Sequence, residues 1–194
     1  MGRKSISSDR RKEILEAYKL VIRNEGIEGA SIGKLAKFLS MPPSLIMHYF
    51  SSKDELIKCV ASEIISDTYD TLIEQIEVLP KTDQIERIVN FLFGIELQKH
   101  FDLFYYRLVN YLALSSEDIS NEILLKFNHL VHRISEYIQM SNGSVHLIEL
   151  NEMSSSLLSS SFGFMEIEML KNDQSSFFKN SRVIKDYWIK ALKN

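Results

Sequence analysis

The chain has 194 residues, of which 45% are hydrophobic and 25% are charged, a composition typical of a globular protein with a sizeable core. The single cysteine, Cys59, excludes an internal disulfide framework and a zinc module built on cysteines. Seven Gly and three Pro disfavour a turn-rich β-sandwich, and no apolar stretch is long enough for a signal peptide or a membrane span. The sequence therefore predicts a cytoplasmic protein without membrane contact, and it indicates no cofactor.

Charge is divided unevenly along the chain. Residues 1–60 carry 11 Lys and Arg against seven Asp and Glu, whereas the remainder carries 12 against 19. A basic N-terminal segment followed by an acidic body favours contact of that segment with a polyanion such as nucleic acid. Charge by itself does not decide the point, because helical surfaces often carry a few charges in excess.

Apolar residues recur at helical spacing along nearly the whole chain, for example at Ile14, Tyr18, Val21 and Ile22. Since no stretch alternates with a period of two, the sequence predicts an all-α fold with about nine helices. Their expected positions are about 8–25, 31–39, 43–50, 52–79, 83–99, 102–114, 117–140, 145–171 and 175–192.

Local signals mark the boundaries of the first four helices. Gly26 is the residue expected at a left-handed cap after the first helix, and Ser31 is the expected N-cap of the second. Pro43 suits the first position of the third helix, where its missing N–H costs nothing. Ser52 and Glu55 form a predicted capping box, in which Ser52 caps the fourth helix and the Glu55 carboxylate reaches back.

The second and third helices are joined by a tight turn, and the third is short, which is the size of a helix-turn-helix unit. A helix that reads DNA must expose one side to the major groove and rest on apolar residues with the other. Leu45 and Ile46 are expected to face inward, whereas Ser44, Met47 and His48 are expected to face outward.

Groups suited to phosphate flank this short helix, because helix N-termini and hydroxyl groups attract anions. They are Ser31, Tyr49 and Lys53. The full predicted set of DNA-contacting residues is Ser31, Pro42, Pro43, Ser44, Met47, His48, Tyr49 and Lys53.

Five short motifs follow one another between residues 31 and 56. They are Ser31-Ile32 at the start of the second helix, Leu35-Ala36 within it, Tyr49-Phe50 at the end of the third, and then Ser52-Lys53-Asp54 and Leu56. In combination they resemble the DNA-binding signature of the TetR family of bacterial transcriptional regulators, over roughly residues 9–58.

Three positions depart from the family pattern, which has glycine where this chain has Ser40 and Ser44, and tyrosine where it has Met47. Ser40 must therefore adopt a backbone conformation that costs it more than glycine, or the turn differs slightly. Met47 cannot make the hydrogen bond of a tyrosine, but it can pack on a thymine methyl group or a sugar. The departures affect which bases would be preferred, but they do not change the DNA-binding role that the resemblance implies.

The resemblance implies two domains, a helix-turn-helix DNA-binding domain over 1–55 and an effector-binding and dimerisation domain over 56–194. It implies a homodimer on a double-stranded, pseudo-palindromic DNA operator, and a repressor released by a small, mainly apolar effector. The alternative is a DNA-bound platform for a protein partner, with a filled body and no small-molecule effector. An enzyme is not expected, because no convergent acid, base or metal-binding groups are visible.

Aromatic residues crowd the middle of the chain, with seven between Phe91 and Tyr111, a span of 21 residues. Ring faces and Tyr hydroxyls suit an apolar ligand pocket, although the same rings would equally serve as the core of a helical bundle. The predicted effector-binding residues are Phe91, Phe101, Phe104, Tyr105, Tyr106, Phe127 and Phe162. For Arg107, a surface ion pair with an acid such as Glu96 is favoured over a pair with a ligand carboxylate.

The last two helices carry the predicted dimer interface, because one has small residues on a face and the other has large apolar ones. A large hydrophobic contact of this kind is typical of permanent homodimers. The predicted members are Ser155, Ser159, Phe162, Val183, Ile184, Tyr187 and Trp188.

Three further features have ordinary interpretations. His129 and His132 would share a helical face, but no carboxylate stands at matching spacing, so no metal site is predicted. Cys59 is interpreted as a small buried hydrophobe, since redox sensing would need an activated, exposed thiol. The serine-rich run 154–161 is expected to let another helix approach closely, and no paired base supports a nucleophilic serine.

Overall fold

A computed structural model describes residues 2–100, 102–139, 147–171 and 174–193. The described residues form ten α-helices and no strand, which confirms the predicted all-α class. The helices are α1 (Gly2–Gly29), α2 (Ile32–Leu39), α3 (Pro43–Tyr49), α4 (Lys53–Glu77), α5 (Gln84–Leu92), α6 (Ile95–His100), α7 (Leu103–Ala113), α8 (Glu117–Gln139), α9 (Leu147–Lys171) and α10 (Gln174–Lys193).

The first helix is interrupted at Gly26, where the sequence predicted its end, and a short helical segment follows up to Gly29. Gly26 has the expected positive φ of 73°, but its ψ of 166° lies outside the left-handed helical region. Helical hydrogen bonding resumes beyond this kink, and the Ala30 N–H donates to the Gly26 carbonyl oxygen at 3.0 Å. A glycine is suited to this position because residues with a Cβ rarely adopt such a φ. The predicted break at Gly26 is therefore confirmed, although its ψ is not that of a left-handed cap.

A helix cap, a left-handed residue and a proline define α2 and the turn that leads to α3. Ser31 caps α2 by accepting a hydrogen bond from the Lys34 N–H at 3.2 Å. Ser40 takes the left-handed conformation, with φ 53° and ψ 39°, and its N–H donates to the Lys37 carbonyl oxygen. This backbone costs a residue other than glycine about 1 kcal/mol, and it is the first of the two alternatives that the departure from the family's glycine left open. Pro43 is the first residue of α3, also as predicted.

One predicted helix is two helices in the structure. The periodicity over 83–99 continues without interruption, yet α5 ends at Leu92 and α6 begins at Ile95. The chain turns sharply between them. The backbone passes so close to itself there that a Cβ added to Gly94 would lie 2.2 Å from the Asn90 carbonyl oxygen. The Gly94 N–H instead donates to the Phe91 carbonyl oxygen at 3.2 Å. A single glycine in an apolar helical pattern did not reveal this close backbone approach.

The chain divides into two compact units, Met1–Ile64 and Ile65–Asn194, and the boundary falls inside α4. In the first unit, α1, α2, α3 and the start of α4 bury a common apolar core. Its fully buried large side chains are Tyr18, Phe50, Ile14, Ile22, Leu35, Ile46 and Leu56. The functions expected for residues 1–55 and 56–194 remain predictions.

The second unit is a bundle in which small polar side chains let α8 and α9 approach. Ser135 of α8 and Ser154 of α9 are both buried, and their hydroxyl oxygens lie 3.0 Å apart. The Ser181 hydroxyl of α10 donates to the Phe93 carbonyl oxygen at 2.6 Å and so anchors α10 at the end of α5. Within the described residues, no helix has the length and apolar character needed to cross a membrane.

Candidate nucleic-acid interface and effector site

The short helix α3 presents most of the side chains that the sequence placed on its outer surface. Ile46 is fully buried, whereas Ser44, Met47 and His48 are exposed, as predicted. Leu45 was expected to face inward, but 36% of it is exposed. Since α3 has only seven residues, a single row through Ile46 faces the core, and Leu45 lies on the flank of that row.

The other predicted DNA-contacting residues surround this surface. Pro42 and Pro43 are exposed at the start of α3, and Tyr49 at its end is half-buried. The exposed Ser31 uses its oxygen as an acceptor in capping α2, which leaves its hydroxyl hydrogen available as a donor. Lys53 is half-buried at the start of α4, and its Nζ lies 3.3 Å from the Ile27 carbonyl oxygen.

Arg11 of α1 forms a junction that sequence reasoning missed. One guanidinium nitrogen donates to the Tyr49 carbonyl oxygen at 2.6 Å, and the other lies 3.3 Å from Glu55 and 3.2 Å from the Cys59 sulfur. Its guanidinium carbon also stacks 4.1 Å from the centre of the Phe50 ring. One side chain thus connects α1 with the end of α3 and the start of α4. No local pattern signals it, since its partners lie 38 to 48 residues away.

The start of α4 is capped differently from the predicted box. The Ser52 hydroxyl oxygen accepts from the Glu55 N–H at 3.0 Å, as expected. The Glu55 carboxylate, however, reaches one residue further back and accepts from the N–H and the hydroxyl of Ser51, each at 2.7 Å. These hydrogen bonds, that of the Ser51 hydroxyl foremost, lower the pKa of Glu55, and the Arg11 guanidinium adds to the effect. The capping box is therefore confirmed for Ser52 and wrong for the partner of Glu55.

The basic side chains of the first unit differ in how far they are engaged. Lys34 pairs with Glu25 at 2.5 Å, and Lys19 is buried between Glu16 and Glu63 at 2.9 and 2.8 Å. Lys37 is exposed at the end of α2 and forms no ion pair with the side chains that the structure describes. Lys37 is therefore a candidate phosphate contact that the sequence reasoning missed, although its basic charge in α2 was visible.

The predicted effector-binding residues are only partly brought together. Tyr106 of α7 and Phe162 of α9 are in edge-on ring contact, with centroids 5.9 Å apart. Phe104 contacts its neighbour Tyr105 and is exposed. Phe91 is buried and Phe127 is half-buried, and neither makes a ring contact in the described part of the chain. Phe101 lies outside the described residues.

Tyr69 of α4 completes a cluster that the density of aromatic residues over 91–111 did not reveal. Its ring centroid lies 6.2 Å from that of Phe162. Burial is the main cause that raises the pKa values of Tyr69 and Tyr106. For Tyr106, a side-chain hydrogen bond with Asn110 acts in the opposite direction, and the Glu166 carboxylate adds to the increase. Both phenols therefore keep their protons near neutral pH and can donate hydrogen bonds. We call Tyr69, Tyr106 and Phe162 the aromatic cluster.

Arg107 forms an ion pair, as favoured, but with a different acid. Its Nε lies 3.1 Å from Glu166 of α9, which places the pair beside the aromatic cluster. Glu96 instead accepts from Lys99 at 2.6 Å, within its own short helix. The favoured surface ion pair with a helix acid is therefore confirmed, and its acid is Glu166 rather than Glu96, because the pairing joins helices that lie far apart along the chain.

Two surface grooves of the second unit are lined by polar and charged residues. The first, of about 460 Å³, is lined by Ile76, Glu77, Lys81, Arg133, Glu136, Tyr137 and Gln139. The second, of about 550 Å³, is lined by Asn128, Val131, His132, Asn151, Glu152, Ser155 and Ser156. Neither is lined by the predicted effector-binding residues. His132 pairs with Glu136 at 3.4 Å, and no group of three or more metal-binding side chains occurs among the described residues.

The residues predicted at a dimer interface fall into two groups. Val183 and Tyr187 of α10 are 69% and 65% exposed, Ser159 is exposed, and Ser155 and Ile184 are half-buried. Phe162 and Trp188 are instead buried inside the single chain, so they belong to its own core. Three exposed apolar residues in the last two helices were missed by the sequence reasoning. They are Ile167, Leu170 and Phe178.

Comparison with known proteins supports one fold. No protein-family model matches the chain. The chain is 25% identical over 88 residues to the HTH-type transcriptional regulator BetI of Escherichia coli, and the match spans 45% of each protein. Among solved structures it is similar to a TetR transcription regulator of Haloarcula marismortui, with a TM-score of 0.74, 16% identity and coverage of 95% and 98% of the two chains.

A second structure shares the fold and contains a ligand. It is the transcriptional regulator FadR of Bacillus subtilis in complex with stearoyl-CoA, with a TM-score of 0.59, 15% identity and coverage of 92% and 97%. At these identities the likeness concerns the fold alone, and the chain spans less than half the length of the curated relatives it matches. Both comparisons lead to the same class of protein that the motifs between residues 31 and 56 resemble.

Proposed function

We propose that this chain, whose fold is that of TetR-family transcriptional regulators, binds DNA and regulates transcription in response to a small molecule. The observation that carries the proposal is the geometry of α3. It follows a tight left-handed turn at Ser40, rests on the core through Ile46, and exposes Ser44, Met47 and His48 on its outer side. A short helix supported on one side and exposed on the other is what the major groove admits.

The proposed DNA target is a pseudo-palindromic operator. In a symmetric dimer the two copies of α3 read two half-sites whose centres lie about 34–36 Å apart or a multiple of that distance. The exposed apolar residues Val183 and Tyr187 of α10 support pairing of two chains through this helix. The proposed phosphate contacts are Ser31, Lys37 and Lys53, which lie at or near helix ends of the first unit.

The proposed effector site is the aromatic cluster. Its rings provide apolar contact area, and the protonated Tyr69 hydroxyl provides a donor for a ligand oxygen. FadR, a protein of the same fold, binds stearoyl-CoA, whose acyl chain is apolar, and this supports an effector with a large apolar portion. Repression relieved by ligand then follows from linkage, since a ligand that prefers the DNA-free dimer must lower the affinity for DNA.

The first experiment selects bound sequences from random double-stranded DNA with the purified full-length protein. We expect an inverted repeat whose half-sites have the spacing given above. Enrichment of no sequence would contradict the proposed DNA-binding function. The alanine variant of His48 should alter the preferred bases at a few half-site positions, each by about 1–3 kcal/mol.

The second experiment titrates aromatic and long-chain apolar compounds against the protein–operator complex and measures release of the operator. Replacement of Tyr69 by Phe should raise the concentration of active compound needed for release and leave operator affinity without the compound unchanged. Tyr111→Phe, at an exposed tyrosine of α7, is the matched control and should change neither quantity. If no compound released the operator, a protein partner would replace the small molecule in the proposal.

A further inference from the structure

The proposed recognition helix lacks the side chains that most often read bases by paired hydrogen bonds. Arg and Lys recognise guanine, and Asn and Gln recognise adenine, through two hydrogen bonds to the base edge. None of these residues, and no Asp or Glu, occurs anywhere from Ser40 to Ser52, a segment that contains the whole of α3. The outer surface of α3 therefore has no means of two-point recognition of guanine or adenine.

The same surface is rich in exposed apolar groups. Leu45 is 36% exposed and Met47 41% exposed, and Pro43 is exposed at the first turn. Leu45 and Met47 are ordinarily buried residue types, and leaving them in water on so small a helix forgoes the free energy of their burial. An apolar partner covers them if the proposed function is correct, because this surface is then the one placed in the major groove. Ser44 and His48 remain as single hydrogen-bonding groups.

The major groove offers one apolar group at base edges, the C5 methyl group of thymine. On the basis of the proposed function, we infer that α3 reads thymine methyl groups, which Leu45 and Met47 contact within each half-site. Specificity then comes from apolar contacts to thymine, and Ser44 and His48 add single hydrogen bonds. Affinity that does not depend on sequence comes from lysines outside α3, such as Lys37 and Lys53.

The test uses the operator obtained by selection, with each thymine of a half-site replaced in turn by uracil. Uracil keeps every hydrogen-bonding group of thymine and lacks only the methyl group. At one or two positions per half-site, we expect binding by the full-length protein to weaken about four-fold, the value for one buried methyl group. Replacement in both half-sites should weaken binding about 16-fold. The ratio of the two affinities should not change with salt concentration, since the lost contact is uncharged.

Protein variants assign the contact to its residue. In Met47→Ala or Leu45→Ala, replacing thymine by uracil at the position that the missing side chain contacted should no longer change the affinity. Replacement at the other position should still weaken binding about four-fold. Both side chains are exposed, so the substitutions leave the core intact, and an unchanged melting temperature would verify this. Leu20→Ala, at an exposed leucine of α1, is the matched control and should leave every ratio unchanged.

Three outcomes would overturn the inference while the proposed function stands. They are a selected operator with no thymine at its most constrained positions, uracil substitutions without effect at every position, and ratios that persist in both alanine variants. Failure of the wild-type protein to select any sequence would instead remove the proposed function, and the inference with it.

Discussion

At the scale of single residues, Arg11 shows how one cation connects three helices of the first unit. Its guanidinium group donates to the Tyr49 carbonyl oxygen, contacts Glu55 and Cys59, and stacks on Phe50. The neighbouring Arg10 forms an exposed pair with Glu13, three residues along the same helix. The two adjacent arginines therefore allow a matched comparison.

Arg11→Ala should lower the free energy of unfolding by roughly 1–2 kcal/mol, because a charge-assisted hydrogen bond to the end of α3 is lost. The effect is no larger because the Arg11 and Glu55 side chains are partly exposed to water, which weakens their interaction. Arg10→Ala should lower it by less than about 0.5 kcal/mol, as expected for an exposed pair. Urea unfolding measures both values. Equal values for the two variants would contradict the role assigned to Arg11.

Lys53 tests the proposed electrostatic contact with DNA. Lys53→Ala should weaken binding to all DNA sequences to a similar degree and reduce the slope of log affinity against log salt concentration by about 0.9. The substitution should change the stability of the free protein little, since the contact of the Lys53 ammonium within the described residues is with the Ile27 carbonyl oxygen, at 3.3 Å. Lys190→Ala in α10 is the control and should leave the slope unchanged. A loss confined to one operator position would show that Lys53 contacts a base instead.

At the scale of elements, the start of α4 should confer a specific dependence of stability on pH. The pKa of Glu55 is lowered from its ordinary value of 4.5 by the hydrogen bonds from Ser51 and by Arg11. The carboxylate therefore stabilises the fold above that ordinary value, and its contribution is lost as the pH falls through the pKa of the folded state.

Glu55→Gln should be less stable than the wild type at pH 7, and the difference should vanish below the pKa of folded Glu55. Chemical denaturation between pH 2.5 and 7 measures it. Ser52→Ala removes the N-cap without touching the Glu55 carboxylate, so it should cost about 1 kcal/mol at every pH. A Glu55→Gln difference that persisted at low pH would assign the effect to packing rather than to charge.

The boundary between α5 and α6 shows where element prediction fails. Apolar periodicity records which side chains face a core, and Ile95 and Leu97 continue the pattern of α5. It does not indicate whether the helical hydrogen bonds of the backbone continue. At Gly94 they do not, and the Asn90 carbonyl oxygen lies too close for a residue with a Cβ. Helix type is therefore predictable here, and helix continuity is not.

At the scale of the whole molecule, the proposed dimer depends on the exposed side of α10. Val183→Glu or Tyr187→Glu should yield monomers in sedimentation and abolish operator binding, because a charge would be buried against the partner chain. Trp188→Glu is not a clean test, since Trp188 is only 9% exposed in the single chain and its loss would destabilise the fold. Leu125→Glu, at an exposed leucine of α8, is the control for surface charge and should remain dimeric. Persistent dimers of the α10 variants would place the contact elsewhere.

The sequence by itself determined the features that a few adjacent residues decide. The cap at Ser31, the helix start at Pro43 and the cap at Ser52 were all predictable. Each depends on φ, ψ and hydrogen bonds within about four residues, so the local sequence contains the needed information. The same holds for the all-α class, because helical periodicity repeats along the chain.

Only the tertiary structure decided which distant side chains meet. The Arg11 junction, the contact of Tyr69 with Phe162 and the pair of Arg107 with Glu166 each join residues on different helices. The burial of Trp188 and the exposure of Leu45 likewise depend on which neighbour covers each face of a helix. A local pattern states that a face is apolar, but the packing of helices on one another selects its partner, because that choice depends on the shape and volume of the whole core.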